Sequence, residues 1–353
     1  MKEWARSLSL LFALYGVGAA AGYLCESIGL PLPWMIGPMV MTGILTLTGV
    51  SKVVVPVGTR PYGQATVASQ VALFFTPAAF QSLLLNIPLL VGMALVICCI
   101  AMLVAQVLSR LAHISLANAL IAVLPTSPVE ASVTAEKHGF DPAPIILAQI
   151  IRISTVVIAI PMTLYFLEGV PDRTQGVAQG AFDPVSIAAL ALVAWIGVVV
   201  FKFLRIANPY FMGPLALVAA LNVIGAPLEP FPPVILKIAQ ILLGTWLGST
   251  FRRSLFTLAG RYVTSAVVCA VLFVATCSVA GVTASHLLGL PLDLMLLAMA
   301  PGGVTEMALT AKVMGVDVAM ITAFHLTRLF IIVPNISWFV DTVNRRAESR
   351  GRG

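Results

Sequence analysis

Pro125-Thr126-Ser127-Pro128-Val129-Glu130, followed by Thr134-Ala135, Gly139 and Asp141, returns 176 residues on as Pro301-Gly302-Gly303-Val304-Thr305-Glu306, then Thr310-Ala311, Gly315 and Asp317. The same offset carries Pro33-Trp34-Met35-Ile36-Gly37-Pro38 onto Pro209-Tyr210-Phe211-Met212-Gly213-Pro214. It also carries Gly49 onto Gly225, Gln64 onto Gln240 and Arg152 onto Arg328. Self-similarity at one fixed period marks an internal repeat. Here the period is half the chain, so the protein is two copies of one unit. Duplicated membrane units commonly hold a transport site between them.

The unit is a membrane unit. Hydrophobic residues make up 59% of the 353-residue chain and charged residues 10%, with a mean hydropathy of +1.02. Apolar runs near 8–24, 32–50, 62–82, 86–109, 116–135 and 143–167 recur near 184–203, 209–226, 234–251, 262–288, 292–313 and 318–340. About twenty apolar residues span a hydrocarbon core of about 30 Å as helix. The predicted class is therefore an all-α polytopic membrane protein. Residues 1–167 form the first repeat, 168–183 a linker, 184–340 the second repeat and 341–353 a basic cytoplasmic tail. The first apolar run has the look of a signal peptide, but its counterpart at 184–203 is a plain spanning helix. It is accordingly expected to be the first transmembrane helix.

Positive charge sets the orientation, because loops rich in Lys and Arg stay cytoplasmic. In the first copy Lys52 and Arg60 lie between segments two and three, while Glu26 lies between one and two. In the second copy Lys202 and Arg205 lie between one and two, Glu229 between two and three, and Arg252, Arg253 and Arg261 after three. The swap predicts two copies of inverted topology, with both termini cytoplasmic. Inversion needs an odd number of crossings per copy, and six segments are visible. The fifth is the exception. Leu116 to Pro125 rises about 15 Å as helix, half the core, and a Thr-Ser-Pro turn follows. Segment five, and with it 292–313, is either a re-entrant hairpin or a broken helix that crosses. The hairpin gives five crossings per copy and puts almost every basic residue inside. The crossing form gives twelve spans and parallel copies, with Arg252, Arg253 and Arg261 outside.

Polar residues at membrane depth are the candidates for function. Glu130 and Glu306 follow the two turns and could bind a cation, carry a proton or share one. Ser127-Pro128-Val129-Glu130 also has the form of a helix-capping box, and Gly303-Val304-Thr305-Glu306 repeats it with Gly at the cap. The capping and transport roles are compatible. Thr126, Ser127, Gly302, Gly303 and Thr305 make up the turns, where unpaired N–H groups of the returning helix suit a carboxylate. Arg152 and Arg328 lie in the helices that follow and need partners, with Glu130 and Glu306 the expected ones. Gln149 and His325 stand one turn before each arginine, on the same face. His325 is either a protonation switch or a histidine bonded to backbone. The Pro-Trp/Tyr elements are expected to leave segment two short or interrupted beside the site.

The repeated Pro-Trp/Tyr-x-x-Gly-Pro elements and the paired Glu motifs resemble the bacterial AbrB family of integral membrane proteins, over nearly the whole chain. That resemblance implies a multi-pass protein of the bacterial inner membrane. It also brings the labels ammonia monooxygenase and regulator of gene expression. An oxygenase needs clustered His and carboxylate ligands for its metal, and His113, His138, His286 and His325 are scattered. No metal and no catalytic residue is expected. Nor is a nucleic-acid partner expected, since the chain shows no helix-turn-helix and no soluble basic domain. The five cysteines lie in or beside apolar segments without CxxC spacing and read as packing residues. The expectation is a secondary transporter of a small anionic or zwitterionic metabolite, coupled to protons or Na⁺, with no resident cofactor. A membrane sensor that affects gene expression indirectly is the alternative. The expected partners are the lipid bilayer and a small solute, and a homo-oligomer is compatible with both readings.

Overall fold

The computed structural model describes residues 2–51, 53, 55–168, 183–206, 208–226, 228–251 and 260–351. Lys52, Arg252, Arg253 and most of the 168–183 linker, on which part of the charge pattern rests, lie outside them. Among the described residues there are fifteen α-helices and no strand. In the first copy these are α1 (Lys2–Ser27), α2 (Pro33–Leu47), α3 (Arg60–Ala72), α4 (Pro77–Leu85), α5 (Ile87–Ala112), α6 (Leu116–Val123), α7 (Pro128–Lys137) and α8 (Pro142–Glu168). The second copy follows as α9 (Pro184–Phe203), α10 (Pro209–Val223), α11 (Pro233–Ser249), α12 (Gly260–Leu288), α13 (Leu292–Met299), α14 (Val304–Met314) and α15 (Val318–Gly351). Six stretches are long and apolar enough to cross a membrane: Ser9–Ser27, Ile87–Ala112, Pro142–Leu167, Pro184–Phe203, Gly260–Leu288 and Val318–Val343. They are the first, fourth and sixth segments of each copy.

The remaining segments are shortened by proline. Segment two is short, as expected, but it is not interrupted. α2 runs unbroken through Pro38, and α10 through Pro214. Segment three of the first copy, expected as one stretch over 62–82, is instead bent by 90° between α3 and α4. Pro77 supplies the reason. It has no N–H to continue a helix and disfavours the helical conformation at Thr76. Thr76 then accepts a hydrogen bond from the Ala79 N–H (3.2 Å) and starts α4. Segment five is broken in both copies. Leu124 and Ala300, each preceding a proline, turn to ψ 130° and end α6 and α13.

The backbone repeats as the sequence does. Among the described residues, those in the left-handed region are Gly29, Leu32, Gly49, His113 and Gly139, together with Arg205, Asn208, Gly225, Gly289 and Gly315. Every member of the second set lies 176 residues beyond one of the first. Only glycine enters this region without steric cost, so Leu32 and Asn208 hold it because the turns before α2 and α10 demand it.

The chain forms two compact units, and they cut across the copies. The first unit comprises Met1–Leu85, Pro161–Arg253 and Ala308–Thr322, which holds segments one to three of both copies. Within it α1 crosses α2 where a Cβ on Gly37 would stand 2.7 Å from the Ala21 carbonyl. α9 crosses α10 at the equivalent place, where a Cβ on Gly213 would collide with the Gly197 carbonyl. α2 and α11 run in the same direction, because Gly244 sits against the Met35 carbonyl and Gly248 against that of Met39. Asn222, at the end of α10, donates to the carbonyls of Leu73 (2.9 Å) and Phe75 (3.1 Å) just past α3. Lys237 of α11 pairs with Glu26 at the end of α1 (3.0 Å), its ammonium 4.6 Å above the Trp34 ring. The second unit comprises Asn86–Ile160, Ser254–Met307 and Ala323–Gly353, with most of segments four to six of both copies.

Candidate functional site

Where a helix stops, its last four carbonyls lose their partners. α6 and α13 stop at the two proline turns, and the side chains one segment on are placed to meet those carbonyls. Gln149, fully buried in α8, donates through Nε2 to the carbonyls of Ile121 and Leu124, both at 2.9 Å. His325, fully buried in α15, donates through Nε2 to Leu297 (3.0 Å), the counterpart of Ile121. A carbonyl only accepts, so the proton of neutral His325 is on Nε2.

The arginines complete the caps. Arg152, 3% exposed, donates through Nη2 to the Thr126 carbonyl (3.1 Å) and the Gln149 Oε1 (2.6 Å). Arg328, 2% exposed, donates to the Ala300 carbonyl (2.9 Å) and to that of Gly302 (2.5 Å), the counterpart of Thr126. A cation at a helix C-terminus also opposes the negative end of the helix dipole. One bond breaks the symmetry. The Nη1 of Arg152 donates to Pro301 at 3.1 Å, so a single guanidinium holds the turn of its own copy and the turn of the other. These acceptors are backbone oxygens and one amide, where Glu130 and Glu306 were the expected partners.

Each glutamate is tied to the start of the returning helix. Ser127 Oγ accepts from the Glu130 N–H (3.2 Å), and the Glu130 carboxylate accepts from the Ser127 N–H (3.1 Å). That is the capping box expected from the sequence. At the second turn the Glu306 carboxylate lies over Gly303, in the space a Cβ there would need. A side chain at 303 would make that carboxylate shift, as it does not have to while the position is glycine. Gly302 is as confined, since a Cβ would stand 2.9 Å from Val156 Cγ1. Ser127, Glu130, Gly303 and Glu306 are half-buried, while Thr126 (6% exposed) and Thr305 are buried. The structure thus brings all eleven candidates onto the two turns and their caps, all within the second unit.

A family model described as transition state regulatory protein AbrB matches residues 34–344. The chain belongs to the AbrB family. It is similar to the uncharacterized protein YhjN of Bacillus subtilis (strain 168), 24% identical over 90% of this chain and 88% of that one. It is also similar to the protein named "Putative regulator AbrB" of Escherichia coli (strain K12), again 24% identical, over 95% of each chain. In this AbrB-family chain the functional groups that sequence reasoning missed are carbonyls, those of Ile121, Leu124, Leu297, Ala300 and Pro301. A signal for them exists. A proline that ends a helix at membrane depth leaves acceptors that no water reaches, so donors must be sought elsewhere in the chain.

Proposed function

We propose that this protein is a secondary transporter of a small anionic or zwitterionic metabolite in the bacterial inner membrane, built from two inverted copies and working by alternating access. The observation that carries the reading is the Arg152 guanidinium hydrogen-bonded to Thr126 and Pro301. It joins the turns of two broken segments, one from each copy, which is the arrangement of discontinuous helices at a midplane transport site. The half-buried groups beside it suit a carboxylate ligand. The start of α7 already holds one, the Glu130 side chain on the Ser127 N–H. A substrate carboxylate would compete for such donors, and a proton or Na⁺ would balance the displaced glutamate.

Helix directions support inversion. Consecutive spans run oppositely, so in copies of like orientation segment two of one and segment three of the other would be antiparallel. α2 and α11 are that pair, and they run in the same direction. The Lys237–Glu26, Arg60–Trp246 and Asn222–Leu73 contacts each join ends that the inverted arrangement puts on one side. With the Lys and Arg pattern, this favours cytoplasmic N- and C-termini.

In proteoliposomes, wild-type protein is expected to concentrate at least one small carboxylate or amino acid under a proton or Na⁺ gradient. Glu130→Gln and Glu306→Gln should each lower that uptake by at least about tenfold, the equivalent of ~1.4 kcal/mol. If no compound of a broad panel moves under either gradient, the transport reading fails. The second reading, a membrane regulator that binds a solute without moving it, has the name of the Escherichia coli relative in its favour. Saturable solute binding by the purified protein with no flux would decide for it.

A further inference from the structure

His138, just past the end of α7, meets an acceptor at each of its two ring nitrogens. Nδ1 lies 2.8 Å from the Thr134 carbonyl one turn back, and Nε2 lies 3.2 Å from the Asp341 carboxylate of α15. The imidazole is 9% exposed and the carboxylate 53%. A carbonyl and an ionised carboxylate only accept, so each contact needs an N–H from the ring. Neutral imidazole has one N–H and turns a lone pair on the other oxygen. Imidazolium has two and satisfies both. Histidine is the side chain that changes charge between about pH 5 and 8, so this arrangement is complete only while the ring holds a proton it can lose.

The pair joins two elements that serve the two turns, all within the second compact unit. α7 starts from the Ser127–Glu130 capping box and has His138 at its C-terminal cap. α15 carries His325 and Arg328, whose donors cap α13. Ser337, one turn before Asp341 on the same face of α15, accepts from Lys137 Nζ at 3.2 Å. That bond does not depend on the charge of the ring. The other charged groups beside the pair, Glu136, Asp141 and Arg345, are exposed and form no ion pair among the described residues. Asp141 accepts instead from the Ala143 N–H. We propose that His138 and Asp341 form a proton-binding site that clamps α7 to α15. The proton binds at Nε2, because Nδ1–H stays bonded to Thr134, and it makes a charge-assisted bond to the carboxylate. As pH rises through the histidine range the proton leaves, Nε2 presents a lone pair to Asp341, and the clamp opens. The site acts on α7 whether or not a solute crosses the membrane.

Hydrogen–deuterium exchange of the full-length protein in detergent tests it, read at the last turn of α7 and corrected for the intrinsic pH dependence of exchange. The wild type should be about two- to fivefold better protected there at pH 6 than at pH 8, the range of a partly exposed ion pair. Asp341→Asn should be protected alike at both, because its amide donates to neutral Nε2 and its oxygen accepts from the protonated ring. His138→Phe should lack the added protection at either pH. Equal wild-type protection at the two pH values, or a wild-type response in Asp341→Asn, overturns the site. Asp341→Asn keeps the size of a half-exposed side chain, so a folding defect in His138→Phe leaves the test standing.

Discussion

Gln149 and His325 occupy equivalent positions but differ in how many hydrogens one ring or amide nitrogen can give. The Gln149 amide nitrogen has two and satisfies both Ile121 and Leu124. His325 Nε2 has one and reaches Leu297 alone, so Arg328 must take the Ala300 carbonyl. Gln149 thereby frees Arg152 Nη1 to cross to Pro301. Exchanging the pair, Gln149→His with His325→Gln, should move the crossing from Arg152 to Arg328, whose Nη1 would then reach Pro125. A structure of the double variant reads this directly, and an unmoved Arg152–Pro301 bond would count against it. The capping box at Ser127 and Glu130 was legible in the sequence because its partners are three residues apart. The partners of Arg152 were not, because a backbone carbonyl has no identity in a sequence and Pro301 lies in the other copy.

Among elements, glycine decides which helices touch. Gly244 and Gly248 let α11 meet the backbone of α2, where a Cβ would strike the carbonyls of Met35 and Met39. Gly244→Ala should therefore cost roughly 1–3 kcal/mol, the usual range for overpacking, measured by denaturant unfolding in detergent. Gly16→Ala is the control, since nothing lies within 4 Å of its Cβ position. At the start of α9, Asp183 accepts from the N–H groups of Ser186 (2.9 Å) and Val185 (3.3 Å). Bonds from Ser186 and then Val185 hold its carboxyl below the ordinary aspartate value. A depressed folded value means the cap contributes in full above the unfolded value and is lost as pH falls through the folded one. Asp183→Asn, which caps without titrating, should flatten the acid limb of a stability–pH profile that the wild type shows below the ordinary aspartate range. Proline made most helix ends legible in advance. The bend at Pro77 escaped because the apolar run continues through it, and only packing against Asn222 reveals where the freed carbonyls go.

At the scale of the molecule the sequence repeat and the compact unit are different objects. Each unit draws segments from both copies, so neither copy contains a whole unit. Residues 1–168 or 183–353 expressed alone should fail to give folded protein. Co-expression of the two should restore it, read as a monodisperse peak with native thermal unfolding. A stably folded single copy would contradict this arrangement.

Class, duplication, most helix limits and the candidate residues could all be read along the chain. All of these follow from local rules, namely hydropathy over about twenty residues, proline geometry, capping distance and a fixed period. That the copies interleave and that Arg152 holds both turns emerged only from the folded arrangement. The physical reason is that burial away from water obliges every helix-end carbonyl to find a donor, wherever in the chain that donor stands. The repeated Pro-Thr-Ser-Pro and Pro-Gly-Gly turns announced the acceptors, and the fold chose the donors.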